Sequence, residues 1–125
     1  MNEIDIIYNR YGEPRLRLFD NGRFVDFTGR NMGFIDQDNL YNYNGQHVGW
    51  YEGGIMRDHD GLCVGFGEIV TDAAHPLLPL KQLKPLPGLP QLEPLRPLKS
   101  LPPLKPLKSF SWSELDPVSL FFANI

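Results

Sequence analysis

A chain of 125 residues, 42% of them hydrophobic, has material for one small domain and an appendage, and its formal net charge of −3 excludes a uniformly basic nucleic-acid binder. The single cysteine, Cys63, excludes an internal disulfide framework. Charge is divided along the chain: residues 1–74 hold six arginines, no lysine and twelve acids, whereas residues 75–111 hold five lysines, one arginine and one glutamate.

The amino terminus, Met1-Asn2-Glu3-Ile4-Asp5, has no basic flank followed by an apolar run, so no secretory signal is expected. No apolar stretch approaches the ~20 residues of a membrane span. The compartment stays open, a cell-surface or extracellular place included.

The first segment repeats. Gly12, Gly29, Gly45 and Gly61 stand 17, 16 and 16 residues apart, each preceded at three residues by Asn9, Asp26, Asn42 or Asp58. Asn or Asp at the first place and glycine at the fourth suit a type I turn ended by a left-handed residue, so each unit is predicted to be a β-hairpin. Five places before each glycine come Ile7, Phe24, Leu40 and Met56; three places after come Arg15, Met32, Val48 and Val64; five after come Arg17, Phe34, Trp50 and Phe66. Apolar residues two apart are expected on one strand face. The first unit is the weak copy, with arginine in two apolar columns. A second glycine column, Gly33, Gly49 and Gly65, predicts close backbone approach and four hairpins crowded around one axis.

From Leu77 to Phe110 the period changes to three. Leucine stands at Leu77, Leu80, Leu83, Leu86, Leu89, Leu92, Leu95, Leu98, Leu101, Leu104 and Leu107, and Phe110 takes the next place. Ten of the twelve prolines lie between Pro76 and Pro106, which excludes helix and sheet interior and leaves polyproline II, with three residues per turn. All the leucines then point one way. As a straight rod at ~3.1 Å per residue the tail would measure about 105 Å, against a head about 30 Å across. Burying the stripe would contribute roughly 18–36 kcal/mol before entropy is subtracted.

Three arrangements would use the stripe. Tails of several copies could bundle with Lys81, Lys84, Arg96, Lys99, Lys105 and Lys108 outward, or one tail could lie along a neighbour's head in a ring or filament. Alternatively, P-x-x-P segments such as Pro94-Leu95-Arg96-Pro97 could engage SH3-like grooves. A disordered linker would explain the prolines but not the unbroken leucine phase. Beyond Phe110, the aromatic and apolar stretch from Ser111 to Ile125, with Trp112, Phe121 and Phe122 and with Pro117 as a helix start, is expected to plug the tail's end or dock on another subunit.

The motifs Tyr41-Asn42-Tyr43-Asn44-Gly45-Gln46-His47-Val48-Gly49-Trp50 and Arg57-Asp58-His59-Asp60-Gly61-Leu62-Cys63-Val64-Gly65-Phe66 resemble the repeats of the bacterial four-fold β-flower domain. The Leu-Pro tail and its Ser111-Trp112-Ser113 ending are similar to the carboxy-terminal region of that family. Leu16 departs from the pattern, standing where the other repeats have glycine. The resemblance implies a fold and no catalytic residues.

Candidate chemistry is sparse. His59 between Asp58 and Asp60 reads as part of a turn rather than a metal site, because the remaining positions of a calcium loop are missing. Cys63 with His47 and His59 could form a nucleophile and base, but it occupies a variable strand column and reads as an inert thiol. His75 reads as linker.

The expected protein is therefore all-β: four repeated hairpins, about eight strands, around a pseudo-fourfold axis in residues 1–72, a polyproline II tail in 73–110 and a plug in 111–125. It is read as a non-enzymatic assembly protein without metal or cofactor, whose interface is the stripe Leu77 to Phe110 with Trp112, Phe121 and Phe122. Its partners are other copies of the same chain, with no nucleic acid or membrane. The alternatives are an adaptor for SH3-like partners and a β head that binds sugar or peptide.

Overall fold

Each Asx-x-x-Gly segment closes a hairpin by the same hydrogen bonds. Asn9 Oδ1 accepts from the N–H groups of Tyr11 at 3.0 Å and Glu13 at 2.9 Å. Asp26, Asn42 and Asp58 repeat the pattern with Thr28 and Arg30, Asn44 and Gln46, and Asp60 and Leu62. The closing glycines have φ between 79° and 100°, a left-handed conformation that disfavours any Cβ.

The computed structural model, which describes residues 1–122, assembles these hairpins into an eight-stranded antiparallel barrel in chain order. Its strands are β1 (Glu3–Tyr8), β2 (Pro14–Phe19), β3 (Arg23–Asp26), β4 (Asn31–Asp36), β5 (Asn39–Tyr41), β6 (His47–Glu52), β7 (Ile55–Arg57) and β8 (Cys63–Phe66). Pairing of Tyr8 with Phe66 joins β1 to β8 and closes the circle, which removes both sheet edges. Four hairpins around one axis, as the repeat implied, is therefore the architecture.

One expectation about the strands fails for a local reason. The columns three and five places after each turn glycine do not share a face, because every hairpin carries a bulge between them. Phe24 pairs with Gly33 but Val25 with Asn31, so Met32 is extra; Val48 and Val64 are extra in the next two hairpins, and Arg15 in the first. A bulge turns successive residues to the same side. Met32, Val48 and Val64 therefore enter the interior beside Ile7, Leu16, Phe24, Leu40 and Met56, while Phe66 joins a second, outer cluster with Ile6, Tyr8, Ile55 and Cys63.

The glycine column explains what fills the barrel. A Cβ on Gly33 would meet the carbonyl of Tyr41 and the ring of Phe121; one on Gly49 would meet the carbonyl of Arg57. The hairpins approach closely at these places and leave room for the carboxy-terminal segment. A one-turn helix, α1 (Pro117–Leu120), is capped by Asp116, whose carboxylate accepts from the N–H of Val118 at 2.9 Å. Arg15, the odd residue of the first repeat, holds that same carboxylate at 3.0 Å. Leu120 and Phe121 then lie inside the barrel core.

The predicted plug is thus a plug of its own barrel. Phe121, assigned from the sequence to a contact between copies, is 2% exposed and unavailable for one, because the interior that the glycines open accepts its ring. Trp112 lies against Phe66 with ring centroids 6.5 Å apart. Phe122 is exposed, and Ala123, Asn124 and Ile125 of the expected plug lie outside the described residues.

Candidate interaction surface

Residues 73–110 form neither helix nor strand. They run as a strap past the four hairpin turns in chain order, making the same backbone bond at each. The N–H of Gln82 donates to the carbonyl of Gly12 at 2.8 Å, Gln91 to Gly29 at 2.8 Å, Ser100 to Gly45 at 2.8 Å and Ser109 to Gly61 at 3.1 Å. The donors are nine residues apart. Leu80-Lys81-Gln82, Leu89-Pro90-Gln91, Leu98-Lys99-Ser100 and Leu107-Lys108-Ser109 are the same step of a nine-residue repeat laid over the threefold leucine period. This larger repeat was the sequence signal for the strap's path. Its physical mark is that the donor place never holds proline, which has no N–H to give.

The head is covered by its own tail because the tail is wound, not straight. At the ~3.1 Å rise of polyproline II the strap would span about 105 Å, enough for the roughly 95 Å circumference of a body about 30 Å across. The lysines expected to point outward are drawn to the head instead. Lys81 and Lys84 reach Glu68 at 3.4 and 3.3 Å, Lys105 and Lys108 reach Glu52 at 3.2 and 3.5 Å, and Lys99 pairs with Asp36. Asp20, Asp36, Glu52 and Glu68 recur every 16 residues, so the acids belong to the head's repeat as the lysines do to the strap's. Burial raises the carboxyls of Glu52 and Glu68, but their hydrogen bonds and the ammonium charges outweigh it and hold both below the usual range.

With lysines inward, the leucines face out. All eleven, from Leu77 to Leu107, are 91–97% exposed, and Phe110 continues the row at 65%. The result is a girdle of aliphatic side chains with no covering partner among the described residues. A single soluble protein rarely leaves such a continuous apolar surface open.

Both ends of the strap are fastened at the fourth hairpin. Arg57, buried on β7, donates through Nη1 to the carbonyls of Gly61 at 2.8 Å and Ser109 at 2.9 Å, and through Nη2 to that of Ala74. Beyond the clasp, the Cys63 N–H donates to Ser111 at 2.9 Å and the Ser113 N–H to the Cys63 carbonyl at 2.7 Å. Ser113 Oγ donates to Asp58 Oδ2 at 2.6 Å.

The candidate chemical residues separate. Cys63 is buried beside Arg57, 3.5 Å from its Nη1, and burial pushes its thiol up despite that charge. It is not placed with the histidines. His47 and His59 do meet: Nδ1 of His47 lies 2.9 Å from Nε2 of His59, and Nε2 of His47 lies 3.0 Å from Asn39 Oδ1. Burial and the neighbouring His59 push His47 down to about 4. The pair opens on a groove of about 500 Å³ walled by the strap at Ser100 to Leu104. Among the described residues, no three His, Cys, Asp or Glu side chains converge as a metal cluster, and no helix is long and apolar enough to cross a membrane.

No curated protein and no solved structure matches the chain. The family model of the 4-fold beta flower protein matches residues 5–121, which takes in the barrel, the strap and the plug together. The chain therefore belongs to the 4-fold beta flower family.

Proposed function

We propose that this protein is a non-enzymatic assembly module and that the leucine girdle is its contact surface for further copies of the same chain. The observation that carries the reading is the outward row of leucines on a strap whose lysines are already paired with its own head. At ~25 cal/mol per Å² and 1.5–3 kcal/mol per side chain, each leucine offers about 60–120 Å², and eleven offer roughly 700–1,300 Å². A stable interface needs about 800 Å² per partner.

A convex girdle meets another girdle along an arc, so one contact uses only part of that area, and several neighbours seated on different stretches of leucines together supply it. Pseudo-fourfold repetition then favours open arrays or filaments over a closed dimer. A polyproline II conformation of the strap would suit this use, since it costs little further ordering when the contact forms.

The adaptor reading is weaker. In Pro87-Gly88-Leu89-Pro90, Pro94-Leu95-Arg96-Pro97 and Pro103-Leu104-Lys105-Pro106 the last proline is only partly exposed, whereas an SH3-like groove takes both.

Static light scattering behind size exclusion, on the full chain and on a variant with Leu80, Leu89, Leu98 and Leu107 changed to glutamine, tests the proposal. These four side chains are exposed at the four turns, so the variant keeps its core. Concentration-dependent assembly of the parent and a monomeric variant are expected. A monomeric parent at high concentration, or assembly that survives the four changes, would sink it.

A further inference from the structure

We propose that His47 and His59 form a two-imidazole site for a borderline-soft divalent cation such as Zn²⁺, Ni²⁺ or Cu²⁺. The two rings come from neighbouring hairpins, His47 from β6 and His59 from the β7–β8 turn, and meet nitrogen to nitrogen at 2.9 Å. Asn39 Oδ1, 3.0 Å from Nε2 of His47, accepts the proton on that nitrogen and so leaves Nδ1 as a lone pair aimed at His59. An outer hydrogen bond that fixes the tautomer is what orients a histidine ligand.

The separation is close to what a cation needs, and each ring must turn to aim its lone pair at the shared ion. Two nitrogens at ~2.0–2.1 Å from a tetrahedral ion stand about 3.3 Å apart, a few tenths of an ångström wider than here. The proton between the rings must leave. A neutral His59 moves it from Nε2 to Nδ1, and an imidazolium releases one proton to solvent, so binding weakens as pH falls. His59 is partly exposed at the groove, which gives the ion an entrance. Two protein ligands leave the remaining positions to water or to a small ligand in the groove. The bound ion is therefore exchangeable and clamps the third hairpin to the fourth. Both histidines sit where the strap passes, since the His47 N–H donates to Ser100 Oγ at 3.0 Å, so occupancy also steadies that part of the strap.

Titration of the untagged full chain with ZnCl₂, NiCl₂ or CuSO₄ near neutral pH, by calorimetry and by the histidine ring resonances, tests the site. One ion per chain is expected, Cu²⁺ tightest, with the His47 and His59 resonances shifting and those of His75 unmoved. His59→Gln should lower affinity at least tenfold, Asn39→Ala about tenfold or more, and His75→Gln should change nothing. His59 is only partly buried, so its replacement leaves the core intact, and circular dichroism checks this. Absence of binding at millimolar metal, equal loss from His75→Gln, or an Asn39→Ala variant of unchanged affinity would overturn the proposal.

Discussion

The guanidinium of Arg57 lies 2.9 Å from the carbonyl oxygen of Ser109 and donates to it, and it donates as well to the carbonyl of Ala74. One buried side chain thus ties the end of the strap to its beginning. Replacing Arg57 by alanine should cost about 1–3 kcal/mol, because the carbonyls of Ser109 and Ala74 lose their donor and Asp72 keeps only Lys108. Arg57→Lys should recover only part, since an ammonium cannot fork to several acceptors. Urea unfolding curves measure both, and a loss under ~1 kcal/mol for the alanine variant would contradict the clasp.

The strap's nine-residue register makes a positional prediction about proline. Gln91→Pro removes the one N–H that meets the turn glycine and should cost about 1–2 kcal/mol, and Ser100→Pro, which also removes the Oγ that accepts from the His47 N–H, should cost more. Lys84→Pro places proline where the third repeat already has Pro102 and should cost less than ~1 kcal/mol, the worth of its exposed pair with Glu68. Thermal midpoints rank the three variants, and equal midpoints would refute the register.

Gly33 and Gly65 are expected to reject even a methyl group. At Gly33 a Cβ collides with a backbone carbonyl and the Phe121 ring, and at Gly65 with the Tyr8 carbonyl and the Pro117 ring. Overpacking of this kind costs about 1–3 kcal/mol and should also loosen the plug. Limited proteolysis near the carboxy terminus, compared between parent and Gly33→Ala, reports the loosening directly.

Stability should also depend on His47. Its folded value of about 4 lies below its ordinary 6.5, so the unfolded chain takes up the proton first as pH falls. The contribution of the neutral ring is complete above about 6.5, declines as pH drops toward about 4, and is gone below that. With water at the groove allowed for, about 1–2 kcal/mol is at stake. A pH series of urea midpoints should show this decline, and His47→Gln should flatten it. The head carboxylates that hold the strap, Glu52, Glu68 and Asp72, are likewise held low and lose their share as pH falls below the usual carboxylate range.

How much of this was legible beforehand varied with the range of the interaction. The Asx-x-x-Gly turns are local hydrogen-bond patterns, so Asn9 to Gly12 and its three copies could be read directly. The bulges at Met32, Val48 and Val64 were harder, because a bulge shifts alternation without changing residue type. The meeting of His47 with His59 was not legible at all: twelve residues separate them, and only the packing of two hairpins sets their nitrogens face to face.

The girdle shows the same division. By itself the sequence determined that the segment carrying eleven leucines and Phe110 at a period of three is neither helix nor strand, since its prolines forbid both. Which side faces outward was decided by tertiary structure. The head presents a carbonyl at each turn and a carboxylate column beside it, and these capture the strap's N–H groups and lysines. Leu120 and Phe121 follow the same logic from the other direction, since glycines at 33, 49 and 65 open the barrel and so let these two side chains enter it. The strap spends its polar groups on the head, and its leucines are left on the outside.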